Sequence, residues 1–111
     1  MGNPQKAKGD KAEREVAELI HDLLGFPARR ALGAGRADDV GDIHGVPDTV
    51  VQVASWADVA AAARQKPLGA EQQRINAQAT HAATFVRFRG GTYRVVLTPE
   101  QWATLMREAL P

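Results

Sequence analysis

The sequence predicts an α/β protein, a mixed central β-sheet flanked by helices in the order α-β-β-β-α-β-β-α, and three observations carry that prediction. The apolar residues Val16, Leu19, Ile20, Leu23 and Leu24 recur with helical spacing. Residues 40–56 read as two strands around a tight turn containing Gly45, Pro47 and Asp48. A second pair of strands, 84–89 and 93–97, brackets Gly90-Gly91, a strong hairpin signal.

Taken in order, residues 1–9 are small, polar and basic and read as a flexible N-terminal arm. The first helix is expected from Asp10, an N-cap with Glu13 three residues later as in a capping box, and ends at Gly25. On that helix Glu13 shares a face with Val16, Ala17 and Ile20 and points toward the core side, or else serves only as a cap. Glu15 and Glu18 turn away as solvated carboxylates. Residues 26–32 suit a short strand. The Gly33-Ala34-Gly35 segment and the polar run behind it form a loop that either wraps a phosphate backbone or merely connects. The strand at 49–55 should be central. After it, 57–65 is alanine-rich and helical, Pro67-Leu68-Gly69 breaks the helix, and 70–82 resumes it as one broken crossover. Thr98 as N-cap and Pro99 at the first helical position open the last helix, with Trp102, Leu105, Met106 and Ala109 as its core face.

At 111 residues, 44% hydrophobic and 24% charged, the chain fits one domain. The absence of cysteine excludes disulfides and thiolate metal sites and permits a reducing compartment. No apolar run reaches a membrane span, and the Met1 end lacks the pattern of a signal peptide, so a cytoplasmic protein without a membrane partner is the expectation. A net charge of +1 says little, whereas its distribution is informative. Residues 1–11 hold three lysines and one acid, and Arg29, Arg30 and Arg36 precede the first hairpin. His21, His44 and His81 are dispersed without zinc-ligand spacing.

The first hairpin carries the chemistry. A turn centred near Pro47 places Asp42 opposite Gln52, with Cβ atoms roughly 4.5–5.5 Å apart, and position 54 follows Gln52 on the same face. A strand buried on both faces should be nearly all apolar, so an amide across from a carboxylate needs a reason. Either Asp42 and Gln52 hydrogen-bond each other, or their oxygens, with a backbone carbonyl near Val53, coordinate a hard divalent cation such as magnesium or manganese.

The ordered set K-G-D-K-A-E-R-E at 8–15, A-G-R at 34–36, G-D-I at 41–43 and V-Q-V-A-S at 51–55 resembles the archaeal Holliday-junction resolvases and their phage relatives, within the restriction-endonuclease-like nuclease superfamily. The motifs cover residues 6–56, and the remainder matches by element order alone. The resemblance implies a restriction-endonuclease-like core in which Glu13 matches the helix glutamate, Asp42 the strand aspartate and Gln52 the acid of an acid-x-lysine pair. Position 54 should be that lysine and is Ala54. An amide oxygen still binds magnesium with one less negative charge, but a methyl group replaces nothing that a catalytic lysine does. Three explanations stand: an engineered substitution, a natural pseudo-nuclease, or a migrated base such as Lys66. The first is preferred because the rest of the motif set is intact.

By the same resemblance the chain is expected to be a metal-dependent, structure-specific DNA endonuclease of recombination and repair, cutting four-way junctions and crippled at position 54. Asp42, Gln52 and the Val53 carbonyl would hold one or two magnesium (or manganese) ions, with Glu13 either holding a metal-bound water or touching the second ion. Lys6, Lys8, Lys11, Arg29, Arg30 and Arg36 are the candidate phosphate contacts. The two-fold symmetry of the junction implies a homodimer. The competing expectations are a catalytically dead DNA-binding or assembly module, and a nuclease of another DNA substrate such as a flap, an end or a duplex.

Overall fold

The computed structural model describes the backbone of residues 4–31 and 41–111, with side chains from Ala7 onward. The elements follow the predicted order: α1 (Pro4–Leu24), β1 (Arg29–Arg30), β2 (Ile43–His44), β3 (Thr49–Ala54), α2 (Val59–Ala77), β4 (His81–Arg87), β5 (Tyr93–Val96) and α3 (Pro99–Ala109). The strands form one mixed sheet in the order β1-β2-β3-β4-β5. Only the β3–β4 pair is parallel, and α2 is its crossover. None of the described helices is long and apolar enough to cross a membrane.

The period of two along β3 sorts the core into two sides. Val51 and Val53 pack with Ala12, Val16, Ala17 and Ile20 of α1 and with Ile43. Val50 packs with Ala70 and Ala82, and Ala54 with Ala62 and Val86, on the side covered by α2. The small residues on both partners let α2 lie close to the sheet, and that closeness governs the site described below.

Several local expectations change. Residues 4–9 are the first turns of α1 rather than a flexible arm, so Asp10 lies inside the helix and is not its N-cap. Pro4 suits the first helical position, and the single interior Gly9 costs only about 1 kcal/mol. The helix ends as read, with Gly25 at φ +77° donating to His21 O at 2.8 Å. Leu23 and Leu24, counted in the apolar series, are exposed.

Pro67-Leu68-Gly69 does not break α2, which runs on to Ala77 and stops at Gln78 in the left-handed region. The buried Pro67 forfeits one intrahelical hydrogen bond, which packing of that helical face against the sheet offsets. On α3 the Thr98 and Gln101 capping box forms, but Trp102 and Leu105 are exposed and the buried residue is Gln101. Gln101 turns inward because its Nε2 donates to Glu71 Oε1 at 2.8 Å and to Pro67 O at 3.4 Å.

Glu15 is not an ordinary solvated carboxylate. It accepts from the Tyr93 hydroxyl at 2.6 Å and from Arg87 Nε at 3.3 Å, tying α1 to β5 and β4. The Tyr93 bond first, then Arg87, holds the Glu15 carboxyl below its ordinary 4.5, while burial and then Glu15 push the Tyr93 phenol up. A lowered carboxyl contributes stability above its unfolded pKa that is lost as pH falls through the folded value. Tyr93→Phe is therefore expected to cost about 1 kcal/mol at neutral pH and to flatten the loss of stability on acidification. Urea midpoints of both proteins between pH 3 and 7 check this, and parallel pH profiles would refute it.

Candidate functional site

β2 pairs with β3 at Ile43↔Val51, with the turn at Val46-Pro47-Asp48 between the strands, and Asp42, just before β2, meets Gln52 through its side chain rather than as a ladder partner. The ladder changes character there. The Asp42 N–H donates to Val51 O at 2.8 Å, and the Val53 N–H is taken at 2.8 Å by the Asp42 side chain, through Oδ2, instead of by main chain. Gly41 permits this approach at φ +103°, where a Cβ would press into Val50 and the Val51 carbonyl. Because the N–H and C=O of one strand residue point to the same edge, the Val53 carbonyl belongs to the edge of β3 from which Asp42 takes the Val53 N–H.

Gln52 is buried at 5% exposure and lies on the α2 side with Ala54. In the amide orientation that satisfies its neighbours, Nε2 donates to Asp42 Oδ2 and to Gln73 Oε1, both at 3.0 Å, and Oε1 accepts from Lys66 Nζ at 2.6 Å. Lys66 and Gln73 belong to α2 and stand seven residues apart on one helical face, with Ala70 between them against Val50. Lys66 Nζ also lies 5.8 Å from the centroid of the Trp56 ring, a cation–π distance. Next to Gln52 in the parallel ladder is Thr84, fully buried, whose hydroxyl has no hydrogen-bond partner among the described residues. A polar strip thus runs from Asp42, just before β2, across Gln52 of β3 to Thr84 of β4, beneath a lysine and an amide from α2.

The other candidates fall elsewhere. Ala54 is 1% exposed between Ala62 and Val86, so a lysine there would have to displace α2. Glu13 accepts from Arg30 Nε at 3.1 Å, while Arg30 Nη2 meets Asp10 Oδ1 at 2.7 Å. This network joins α1 to β1, and Glu13 makes no hydrogen bond to Asp42 or Gln52. Arg30, expected as a phosphate contact, is committed to these two carboxylates, whereas Arg29, Lys8 and Lys11 are exposed. The side chain of Lys6 and all of Arg36 and the 33–39 loop lie outside the described residues. Sequence reasoning missed Gln73 and Thr84. The available signal was the i, i+7 spacing of Lys66 and Gln73 on a helix whose other buried residues are Ala61, Ala62, Pro67 and Ala70.

By chemistry, the Asp42 carboxylate and Val53 carbonyl suit a hard cation, while the Gln52 oxygen is given to an ammonium group. Among the described residues no group of three His, Cys, Asp or Glu side chains converges as a metal site. Gln52 and Gln73 should act as a unit. Gln73→Leu leaves a buried Gln52 N–H unpaired and is expected to cost about 1–3 kcal/mol, and the double variant with Gln52→Leu should cost less than the sum of the single changes. Denaturant unfolding of the three variants measures the coupling, and strict additivity would show that the amides do not interact. No family model matches this chain, and no curated protein or solved structure matches it either, so the geometry and the motif resemblance are the grounds for a functional reading.

Proposed function

We propose that this protein is a metal-dependent, structure-specific DNA endonuclease of the junction-resolvase type, in which Lys66 of α2 supplies the positive charge that Ala54 lacks. The observation that carries the proposal is the 2.6 Å contact of Lys66 Nζ with Gln52 Oε1, beside the Asp42 carboxylate. The strand position where the superfamily pattern calls for lysine is filled by a methyl group, and the small pair Ala54 and Ala62 brings α2 close enough for Lys66, one turn further on, to reach the same neighbourhood. This favours the migrated lysine over an engineered loss.

The roles follow from chemistry and placement. Asp42 and the Val53 carbonyl would hold the cation, magnesium or manganese, which when bound polarises the scissile phosphate and lowers the pKa of a water. Gln52 positions the Lys66 ammonium and fixes one Asp42 oxygen, acting through others rather than on substrate. Lys66 neutralises charge that grows on the phosphate in the transition state. Glu13, bound to Arg30, shapes the α1 end of the site. Lys8, Lys11 and Arg29 contact the DNA backbone. The substrate is branched DNA, and two copies of the chain deliver matched cuts to a two-fold junction.

A second reading draws on the Glu13 and Arg30 pair. With that carboxylate neutralised and Gln52 in place of an acid, the site has less negative charge to hold an ion, which favours a DNA-binding module that does not cut. Cleavage separates the two. With magnesium and a labelled four-way junction, the chain as it stands is expected to nick symmetrically, and Lys66→Met to nick at least about a hundredfold more slowly. Silence of the parent with junction binding intact would establish the binding module, and unchanged nicking by Lys66→Met would remove the lysine from the mechanism. Manganese calorimetry tests the cation independently. Asp42→Asn should bind it at least about tenfold more weakly, as removal of a direct anionic ligand requires, and equal affinities would end the coordination argument.

A further inference from the structure

The parallel pairing of β3 and β4 runs to Ala54↔Val86, so both strands release their following residues at the same edge of the sheet. Open α/β sheets bind ligands at the carboxyl ends of their strands, and here those ends border an open cleft of about 440 Å³. Trp56 and Ser55 come from the end of β3, and Arg87, Phe88 and Arg89 from the end of β4. The first turns of α1 add Lys8 and Lys11. Among the described residues no carboxylate lines the cleft.

The four cations differ in commitment. Arg87 is paired with Glu15, and Lys11 acts on Glu15 only at longer range. Lys8 and Arg89 have no ion pair among the described residues. Trp56 is 39% exposed, and Lys66 stands over its ring. The same Lys66 touches Gln52, so the cleft is one side chain away from the Asp42 carboxylate. Excess positive charge beside an exposed indole is the combination that holds single-stranded nucleic acid, with phosphates on the cations and a base on the ring. A recess of about 440 Å³ admits a base.

We propose that this cleft is a subsite for an unpaired nucleotide of the DNA strand, with Trp56 as the stacking surface and Lys8, Lys11 and Arg89 as phosphate contacts. The inference rests on the reading of the chain as a DNA-binding nuclease and narrows its substrate class: a strand with unpaired bases beside the phosphate to be cut, as at the centre of an open junction or the root of a flap. A nucleotide seated here would lead its strand over Lys66 toward Asp42.

The chain has two tryptophans, and the other, Trp102, is exposed, so Trp102→Phe leaves Trp56 as the sole indole reporter. Oligothymidylate and a blunt duplex of equal length, each carrying a fluorescent label for anisotropy, are titrated in calcium against this variant, with a four-way junction alongside. Oligothymidylate is expected to change Trp56 emission and the blunt duplex to leave it unchanged. Trp56→Leu should weaken oligothymidylate binding roughly 5- to 150-fold, with Trp56→Phe restoring most of it. Arg89→Ala and Lys11→Ala should each lower the logarithmic salt slope by about 0.7. If the junction binds by anisotropy while Trp56 emission and the Trp56→Leu affinity stay unchanged, the subsite is overturned and the nuclease reading stands. Equal emission changes with the blunt duplex would also overturn it. If no DNA binds at all, both fall.

Discussion

The rest of the structure depends on one buried amide. Gln52 sits in the middle strand of the sheet, covered by α2, where a polar group without partners would cost about 1–3 kcal/mol. It has partners on every side: a carboxylate on the neighbouring strand and an amide and an ammonium on the helix above. Each of these can meet Gln52 only if its own element is correctly placed. The requirement therefore sets the rotation of α2 about its axis and the point at which β2 stops pairing with β3. Valine at position 52 would satisfy burial equally well and specify neither.

The apolar packing is arranged to make this possible. Ala62 and Ala70 of α2 face Ala54, Val86, Val50 and Ala82, so the helix meets the sheet through small side chains. Larger residues would lift the helix and carry Lys66 and Gln73 out of hydrogen-bonding range. Stability and site geometry thus draw on the same alanine surface, and this close packing is what lets a helix with an interior proline remain continuous.

The order of the elements, the turn at Pro47, the facing of Asp42 and Gln52 and the cap at Thr98 were legible because each is written in a local pattern: a period, a turn residue, a cap. What escaped depends on contacts between distant segments. Asp10 and Glu13 have the spacing of a capping box, but their oxygens answer to Arg30, and the helix continues through them to Pro4. Pro67 reads as a break because sequence does not reveal how much burial supports the helix around it. Trp102 and Leu105 have core periodicity, yet polar contacts of Gln101 decide which side of α3 faces inward. Gln73 belongs to the site only because the crossover returns it to Gln52, which no spacing within the hairpin records.

The tip of the first hairpin holds one more constraint. Asp48, at φ 53°, accepts the Thr80 N–H on its side chain at 3.0 Å and the His81 N–H on its carbonyl at 3.1 Å. A left-handed aspartate at the entry to β3 thereby receives the amide just before β4 and the first amide of β4, a long way along the chain. Parallel strands have no turn between them to set their alignment, and closing such a crossover is an entropic barrier that must be met before the ladder repays it. Asp48 supplies a docking point at the start of that ladder. The register from Thr49↔His81 to Ala54↔Val86 is thereby pinned at its entry, and a slip by one residue, which would turn Thr84 and Gln52 away from each other, would also forfeit both Asp48 contacts.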